Sequence, residues 1–235
     1  RLGLAFEPTG AFRYDVIANY QTDEGPGTSF KAMAYSPADP NTGAILGGRD
    51  PWDGAALTPS ANFDGGKFLG LDRTVRGLTG IGRFDFSDSL TLTSTTAYRD
   101  FDSYETFDPD GISLPMLIAG EDAQGDQFSQ ELQLLYESDN LSGVLGFYYL
   151  DANAFTAFDV ALFTTVNGLT AQTLGDVKTK TWSVFGDFTY DLTDTVSVSV
   201  GGRYTNDQRT SRVLRTTFLG GFSNLFGGTG VAAAV

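Results

Sequence analysis

The stretch Thr181–Thr205, which reads TWSVFGDFTYDLTDTVSVSVGGRYT, alternates apolar and polar side chains on both sides of a short polar turn. After the turn Asp191–Asp194, one face carries Val196, Val198, Val200, Gly202 and Tyr204. Before the turn, one face carries Trp182, Val184, Gly186, Phe188 and Tyr190. Two residues is the side-chain period of a β-strand. The stretch therefore predicts two antiparallel strands, each with one apolar face, joined by a tight hairpin.

Short and long connections alternate along the rest of the chain. Tight polar turns at 86–89 and 137–140 join further alternating segments. The hairpins are separated by long predicted loops at about 22–74, 102–125, 151–176 and 206–235. Outer-membrane barrels have short periplasmic turns and long external loops. The predicted fold class is therefore all-β: an antiparallel transmembrane β-barrel arc of about eight strands in four hairpins.

Strand length supports the membrane interpretation. Most predicted strands run for about ten residues or more, whereas globular strands typically have about five or six. A tilted strand needs about 9–11 residues to cross a bilayer. The longest apolar run, 114–119, contains Pro115 and is far too short for a spanning helix. The alternative is a large soluble β-sandwich or a solenoid. Either would need one explanation for the long strands and another for the placement of short and long connections at opposite ends.

Composition excludes several classes of function. The formal charge of −14 argues against nucleic acid as a partner, because such binding neutralises phosphates with Lys and Arg. The absence of cysteine removes disulfides and thiolate metal sites, and the absence of histidine removes the usual general base. We therefore expect no enzyme activity, no cofactor and no metal site. An outer-membrane hydrolase, the least favoured class, would need its base outside this span.

Three stretches resemble the barrel domain of TonB-dependent outer-membrane receptors. The segment Val184–Asp194, followed by Val198–Asp207, resembles paired strands in which a Phe-Gly strand leads into a Gly-x-Arg-Tyr-Thr strand end. Phe128–Leu134 followed by Val144–Tyr149 is similar to another hairpin of that family, and Leu92–Arg99 resembles a third. Together they lie within residues 75–207, more than half of the chain.

The resemblance implies a barrel of about 22 strands in the outer membrane of a Gram-negative bacterium. It also implies an N-terminal plug domain, substrate binding by extracellular loops and plug apices, and an inner-membrane energy-coupling complex as a partner. The sequence lacks a plug, a TonB-box segment and a C-terminal strand that ends in an aromatic residue. We therefore expect residues 1–235 to be a partial barrel domain.

The function implied is binding and energy-coupled import of a scarce nutrient. Siderophore-type ferric chelates, cobalamin and oligosaccharides are the substrate classes left open. The alternative is a passive porin-type channel, which would have no plug. Outer-membrane lipid and the protein's own plug are the further partners expected. Charged side chains on the predicted lumen face, which we expect to bridge across the lumen or to contact the plug, are Arg83, Arg99, Glu131, Asp187 and Arg203.

Candidate ligand-binding residues lie in the predicted loops. Arg209, Arg212 and Arg215 form the most concentrated positive charge, and arginine suits recognition of carboxylate or phosphate. Charge balance with acidic loops or with lipopolysaccharide is the alternative. Loop aromatics that could stack on a ligand ring, or else hold their own loops, are Trp52, Tyr104 and Phe107.

Two glycine-containing motifs are interpreted structurally. The segment 108–111 contains two acids but fits a turn better than a calcium loop, because Pro-Asp-Gly is a strong turn signal. The segment Gly77–Gly82 has no strand-to-helix context for a nucleotide site. We therefore expect its small residues to ease strand curvature or to admit a close neighbour within a strand.

Overall fold

The computed structural model describes residues 1–25, 69–107, 109, 117–162, 169–219 and 231–233. Each strand in this part of the chain pairs antiparallel with the next, so the sheet order follows the chain order. The strands are β1 Leu2–Thr9, β2 Phe12–Gly25, β3 Gly70–Ser87, β4 Leu90–Phe107, β5 Leu117–Glu137, β6 Leu141–Leu162, β7 Leu169–Thr193, β8 Val196–Leu219 and β9 Val231–Ala233. The all-β antiparallel prediction is confirmed, with eight main strands and the short β9 added at one edge.

Short turns join β1 to β2, β3 to β4, β5 to β6 and β7 to β8, all at one end of the sheet. Hydroxyl groups close three of them. The Ser87 and Thr193 hydroxyls each accept a backbone N–H bond from two residues further on, at 3.3 Å. The Ser138 hydroxyl accepts the N–H of Leu141 at 3.3 Å. Such side-chain bonds to nearby backbone favour turns over continued strand. The three turns predicted from sequence are therefore confirmed.

The predicted loop boundaries were wrong, because the strands run well into the segments assigned to loops. Strand structure occupies 22–25, 70–74, 102–107, 117–125, 151–162, 169–176, 206–219 and 231–233. In these segments polar residues fall on both faces, so the apolar alternation fades. The backbone ladder continues, because its hydrogen bonds do not depend on the side chains. The remainder of each predicted loop lies outside the described residues.

The strand register collects the apolar side chains on one side of the sheet, here called the apolar face. On seven strands this face has an uncharged span of about nine residues, close to what a tilted strand needs to cross a bilayer. We call these spans the apolar band. They are Phe12–Tyr20, Leu78–Phe86, Leu90–Tyr98, Phe128–Tyr136, Leu141–Tyr149, Trp182–Tyr190 and Val196–Tyr204. Aromatic residues end most spans, as they do at membrane interfaces.

Within the described residues, no second layer of strands or helices covers the apolar face. Leu4, Tyr204 and Leu145 are 65%, 62% and 49% exposed. The buried hydrophobic residues of the described chain are only Ile118, Ala119 and Ala161. A soluble sandwich must bury one face of each sheet against another layer. This single layer does not, so the geometry argues against the soluble alternative. No helix in the described ranges is long and apolar enough to cross a membrane.

Polar and small residues on the apolar face have local explanations. Gln130, the exception in the β5 alternation, accepts a hydrogen bond from Thr96 at 2.5 Å and donates to Ser94 at 3.0 Å. Polar groups facing lipid need such internal partners. A Cβ on Gly80 would overlap the hydroxyl end of Tyr14, which crosses from β2. The expectation that the Gly77–Gly82 segment admits a close neighbour is therefore confirmed.

Candidate functional site

Strands β3 to β8 continue beyond the apolar band at the end opposite the short turns. On β3 to β7 the first outward-facing residues past the band are Arg76, Asp100, Asp126, Asp151 and Lys180. We call the continuation of the apolar face the outer wall, and the continuation of the opposite, polar face the inner wall. The candidate site lies on this extension, because polar residues there line both walls.

The three candidate arginines lie on β8 and not in a loop, so that part of the prediction was wrong. Strand alternation also separates them. Arg209 and Arg215 lie on the inner wall, opposite Thr179 and Thr173, whereas Arg212 lies on the outer wall, opposite Asp176. The three therefore do not converge on one ligand. None of them makes an ion pair with a described residue.

The predicted loop aromatics are also placed on strands. Tyr104 lies on the outer wall of β4, and its hydroxyl accepts a hydrogen bond from Thr106 at 2.8 Å. Phe107 lies on the inner wall with its ring centroid 6.4 Å from that of Phe158 on β6. The other candidate, Trp52, lies outside the described residues, as does the motif at 108–111 apart from Pro109.

A groove of about 390 Å³ crosses the inner wall of β3, β4 and β5. A neighbouring groove of about 210 Å³ continues it towards β7 and shares Arg99 and Phe101. Arg99 makes no ion pair with any residue in the described ranges. Arg99 was expected on the lumen face, but the groove was not predicted, because Phe101 was expected at a strand end just before a loop. The charged residues lining the larger groove are Arg73, Arg99, Glu105 and Glu121.

Arg73 is already engaged at the rim of this groove. Its Nε donates to the Asp23 carboxylate at 3.1 Å, and Gln21 donates to the same oxygen at 3.1 Å. The Arg73 hydrogen bond, with the smaller contribution from Gln21, lowers the pKa of Asp23 from its ordinary value. Of the two arginines in the groove, Arg99 is therefore the one whose charge is available to a ligand.

On the polar face, behind the apolar band, charged side chains contact residues on the same or the neighbouring strand. Arg203 donates to the hydroxyl of Ser183 at 2.7 Å and lies 5.5 Å from the ring of Phe185. Arg83 pairs with Asp85 at 3.1 Å. These contacts run along or between neighbouring strands, and the expected contacts across a lumen or with a plug stay predictions. Among the described residues no group of three acids is arranged to hold a metal ion.

Comparison with known proteins identifies the family. A family described as "TonB dependent receptor-like, beta-barrel" matches residues 8–232. The chain belongs to this family. The receptor barrel predicted from the three resembling stretches is thereby confirmed, and the open sheet of β1 to β9 is read as part of such a barrel wall.

Two solved structures are similar to this chain. The ferric yersiniabactin uptake receptor FyuA from Yersinia pestis is similar over 92% of this chain, with 17% identity and a TM-score of 0.54. The siderophore receptor PiuA from Acinetobacter baumannii is similar over 91% of this chain, with 12% identity and a TM-score of 0.42. The chain spans 40% of the length of FyuA and 38% of that of PiuA. No curated protein sequence matches.

Proposed function

We propose that this chain is part of the wall of an outer-membrane receptor that binds a scarce nutrient and imports it by energy-coupled transport. A siderophore-type ferric chelate is the leading substrate class, ahead of cobalamin and oligosaccharides. Family membership supports the receptor, and the FyuA description, ferric yersiniabactin uptake, favours the chelate. The observation that carries the proposal is the strand extension, whose inner wall presents arginines without ion-pair partners in the described part of the chain.

The proposed ligand contacts are the inner-wall cations Arg99, Arg209 and Arg215, with Phe101 and Phe107 as aromatic neighbours. Guanidinium groups bind carboxylates and other planar anions through two parallel N–H donors. Aromatic rings next to them add apolar area for a ligand ring. Two of the original candidates, Arg212 and Tyr104, lie on the outer wall and leave this set.

The remaining partners follow from the same proposal. The polar face of the sheet, opposite the apolar band, would contact a plug domain, and an inner-membrane energy-coupling complex would act through that plug. The apolar band would contact the lipid of a Gram-negative outer membrane. The uptake step involves binding and displacement of the nutrient, and no covalent change to it is proposed.

Two measurements on the gene product that carries this chain test the proposal. A panel of ferric siderophores, cobalamin and maltooligosaccharides is first screened for binding to the purified protein. Charged hydrogen bonds contribute about 1.5–3 kcal/mol each, so we expect Arg209→Gln with Arg215→Gln to weaken binding of the retained ligand by at least about tenfold. Arg212→Gln, on the opposite face of β8, is the matched control and should leave the affinity unchanged.

Cellular uptake of the same ligand distinguishes the receptor from a porin. We expect accumulation to stop when a protonophore removes the proton gradient. Uptake that persists without the gradient and rises linearly with ligand concentration would instead identify a passive channel. Absence of binding to every ligand of the panel, together with such linear uptake, would overturn the receptor proposal.

A further inference from the structure

The larger groove on the inner wall is divided by charge along its length. Arg99 lies at the end nearer the apolar band, and Glu105 and Glu121 lie at the opposite end. The two glutamates are register partners on β4 and β5, so their side chains leave the sheet side by side on the same face. Arg73, on the neighbouring strand, already donates to Asp23, and that carboxylate offsets its charge. One end of the groove is therefore positive and the other negative.

The carboxylates at the negative end are less exposed than the guanidinium at the positive end. Glu105 and Glu121 are half-buried, whereas Arg99 is exposed. Like charges directly opposite each other on neighbouring strands repel, and partial burial strengthens the repulsion because less water screens it. Glu121 forms no ion pair with any residue in the parts of the chain that the structure describes. A cationic group that entered this end of the groove would therefore be stabilised.

The floor between the two charged ends is formed by an aromatic ring and small residues. The Phe101 ring lies over its register partner Gly125 on β5. A Cβ on this glycine would lie 2.7 Å from the ring and 2.9 Å from the carbonyl oxygen of Asn153, so a larger residue would displace the ring. Ser103 and Ala123, the next register pair on this face, are both small. The floor therefore accommodates an apolar linker between two charged groups.

The two ends are too far apart for a single small zwitterion. Arg99 and Glu105 are six residues apart on β4, which is about 20 Å at the rise of an extended strand. Side chains in strands stand roughly perpendicular to the sheet, so their charged groups stay well separated. An α-amino acid has its ammonium and carboxylate on one carbon and does not span this distance. A ligand that contacts both ends must have its two charges on separate arms.

We propose that the larger groove binds a dipolar ligand, with a carboxylate arm at Arg99 and a protonated amine between Glu105 and Glu121. The inference rests on the proposed function, and it narrows the substrate class to chelates that have these two groups on separate arms. Guanidinium binds a carboxylate through two parallel donors. An ammonium group has three donors, which are enough for both glutamates. A ligand with only anionic arms would be repelled at the glutamate end.

The test compares three ferric trihydroxamates for binding to the purified gene product in detergent, measured by isothermal titration calorimetry. Ferrioxamine G1 has a free amine at one end and a free carboxylate at the other. Its N-acetyl derivative lacks the positive charge, and ferrioxamine B has an acetyl group in place of the carboxylate arm. Hydrogen bonds to charged groups are stronger than neutral ones, so we expect ferrioxamine G1 to bind at least about tenfold more tightly than either of the other two.

Two substitutions assign each arm of the ligand to one end of the groove. Glu121→Gln should weaken binding of ferrioxamine G1 at least about tenfold and leave binding of the N-acetyl derivative unchanged. Arg99→Gln should weaken binding of ferrioxamine G1 by a similar factor and leave binding of ferrioxamine B unchanged. Asp122→Asn is the matched control, because Asp122 is the next residue on β5 and faces the outer wall opposite Tyr104. It should leave binding of all three compounds unchanged.

Equal binding of the three compounds by the original protein would overturn the inference, and this comparison does not depend on any variant. Equal losses for ferrioxamine G1 and its N-acetyl derivative in Glu121→Gln, or an equal loss in Asp122→Asn, would also overturn it, with heat-modifiable migration in electrophoresis verifying that each variant is folded. Binding of another ligand of the panel without binding of ferrioxamine G1 would overturn this inference and leave the receptor proposal standing. The two failures are therefore distinguishable.

Discussion

Leu145→Lys is the substitution that most sharply separates a lipid-facing sheet from a water-facing one. Leu145 is the middle residue of the Leu141–Tyr149 span on β6, and it lies on the apolar face, 49% exposed. Strands pair with β6 on both sides, so the result does not depend on an open sheet edge. Val144, one residue earlier, points to the polar face and is the register partner of Asp187.

The expected magnitude follows from the position of residue 145 in the band. A lysine facing lipid at the bilayer midplane costs about 2–4 kcal/mol, which is about a 30- to 700-fold change in the folding equilibrium. Val144→Lys introduces the same charge opposite a carboxylate on the polar face. We expect it to cost less than about 1 kcal/mol, because surface charge changes of this kind are usually small.

The assay is a denaturant titration of the gene product in phospholipid vesicles, followed by heat-modifiable migration. The account predicts a clear loss of stability for Leu145→Lys and a small change for Val144→Lys. Equal effects of the two variants would refute the assignment of the apolar face to lipid. A larger effect for Val144→Lys would reverse the faces and with them the inner and outer walls.

Three further predictions follow from individual contacts. A Cβ on Gly146 would collide with the ring of Phe185, so Gly146→Leu should lower the free energy of unfolding by about 1–3 kcal/mol. Adding Phe185→Ala should restore part of this stability in a double-mutant cycle, and additive effects of the two substitutions would contradict the contact. Arg73→Gln should raise the pKa of Asp23 towards its ordinary value, because the largest cause of its lowering is removed; carboxyl NMR measures the change. Because the pKa of Asp23 is lowered in the folded state, its contact with Arg73 stabilises the protein at pH values above the pKa that Asp23 has in the unfolded chain. This stabilisation is lost as the pH falls through the pKa of Asp23 in the folded protein. The isolated 235-residue chain should aggregate in detergent, because unpaired strand edges in an apolar medium cost several kcal/mol per group; a monodisperse, heat-resistant β-protein would contradict this.

The alternation of apolar and polar residues identified the part of each strand in which the two faces of the sheet have different surroundings. In Val196–Tyr204 every second residue is apolar or glycine, which is the pattern expected of a strand with lipid on one side and a polar lumen on the other. The tight turns were equally predictable, because Ser and Thr hydroxyls bond to nearby backbone. The family resemblance was carried by these same hairpins.

The strand extensions and the candidate site could not be located in this way. In Arg99–Phe107 charged and aromatic residues alternate without an apolar face, since water is expected on both sides there, so the pattern indicates a loop. Arg209, Arg212 and Arg215 are close in sequence, but a strand sends Arg212 to the opposite wall. The Arg99 groove depends on three neighbouring strands, which no single stretch of sequence reveals.

The most direct test of the account is a spin-label scan along β7 of the gene product; the 235 residues contain no cysteine that would compete for the label, and any cysteine elsewhere in the gene product is replaced first. Single-cysteine variants from Asp176 to Tyr190 are labelled in membranes, and their accessibility to oxygen and to a water-soluble nickel complex is measured. The account predicts alternation with period two through Trp182–Tyr190, with oxygen favoured at even positions, and nickel access at both faces from Lys180 towards Asp176. Nickel access at both faces throughout Trp182–Tyr190 would contradict a membrane-spanning wall.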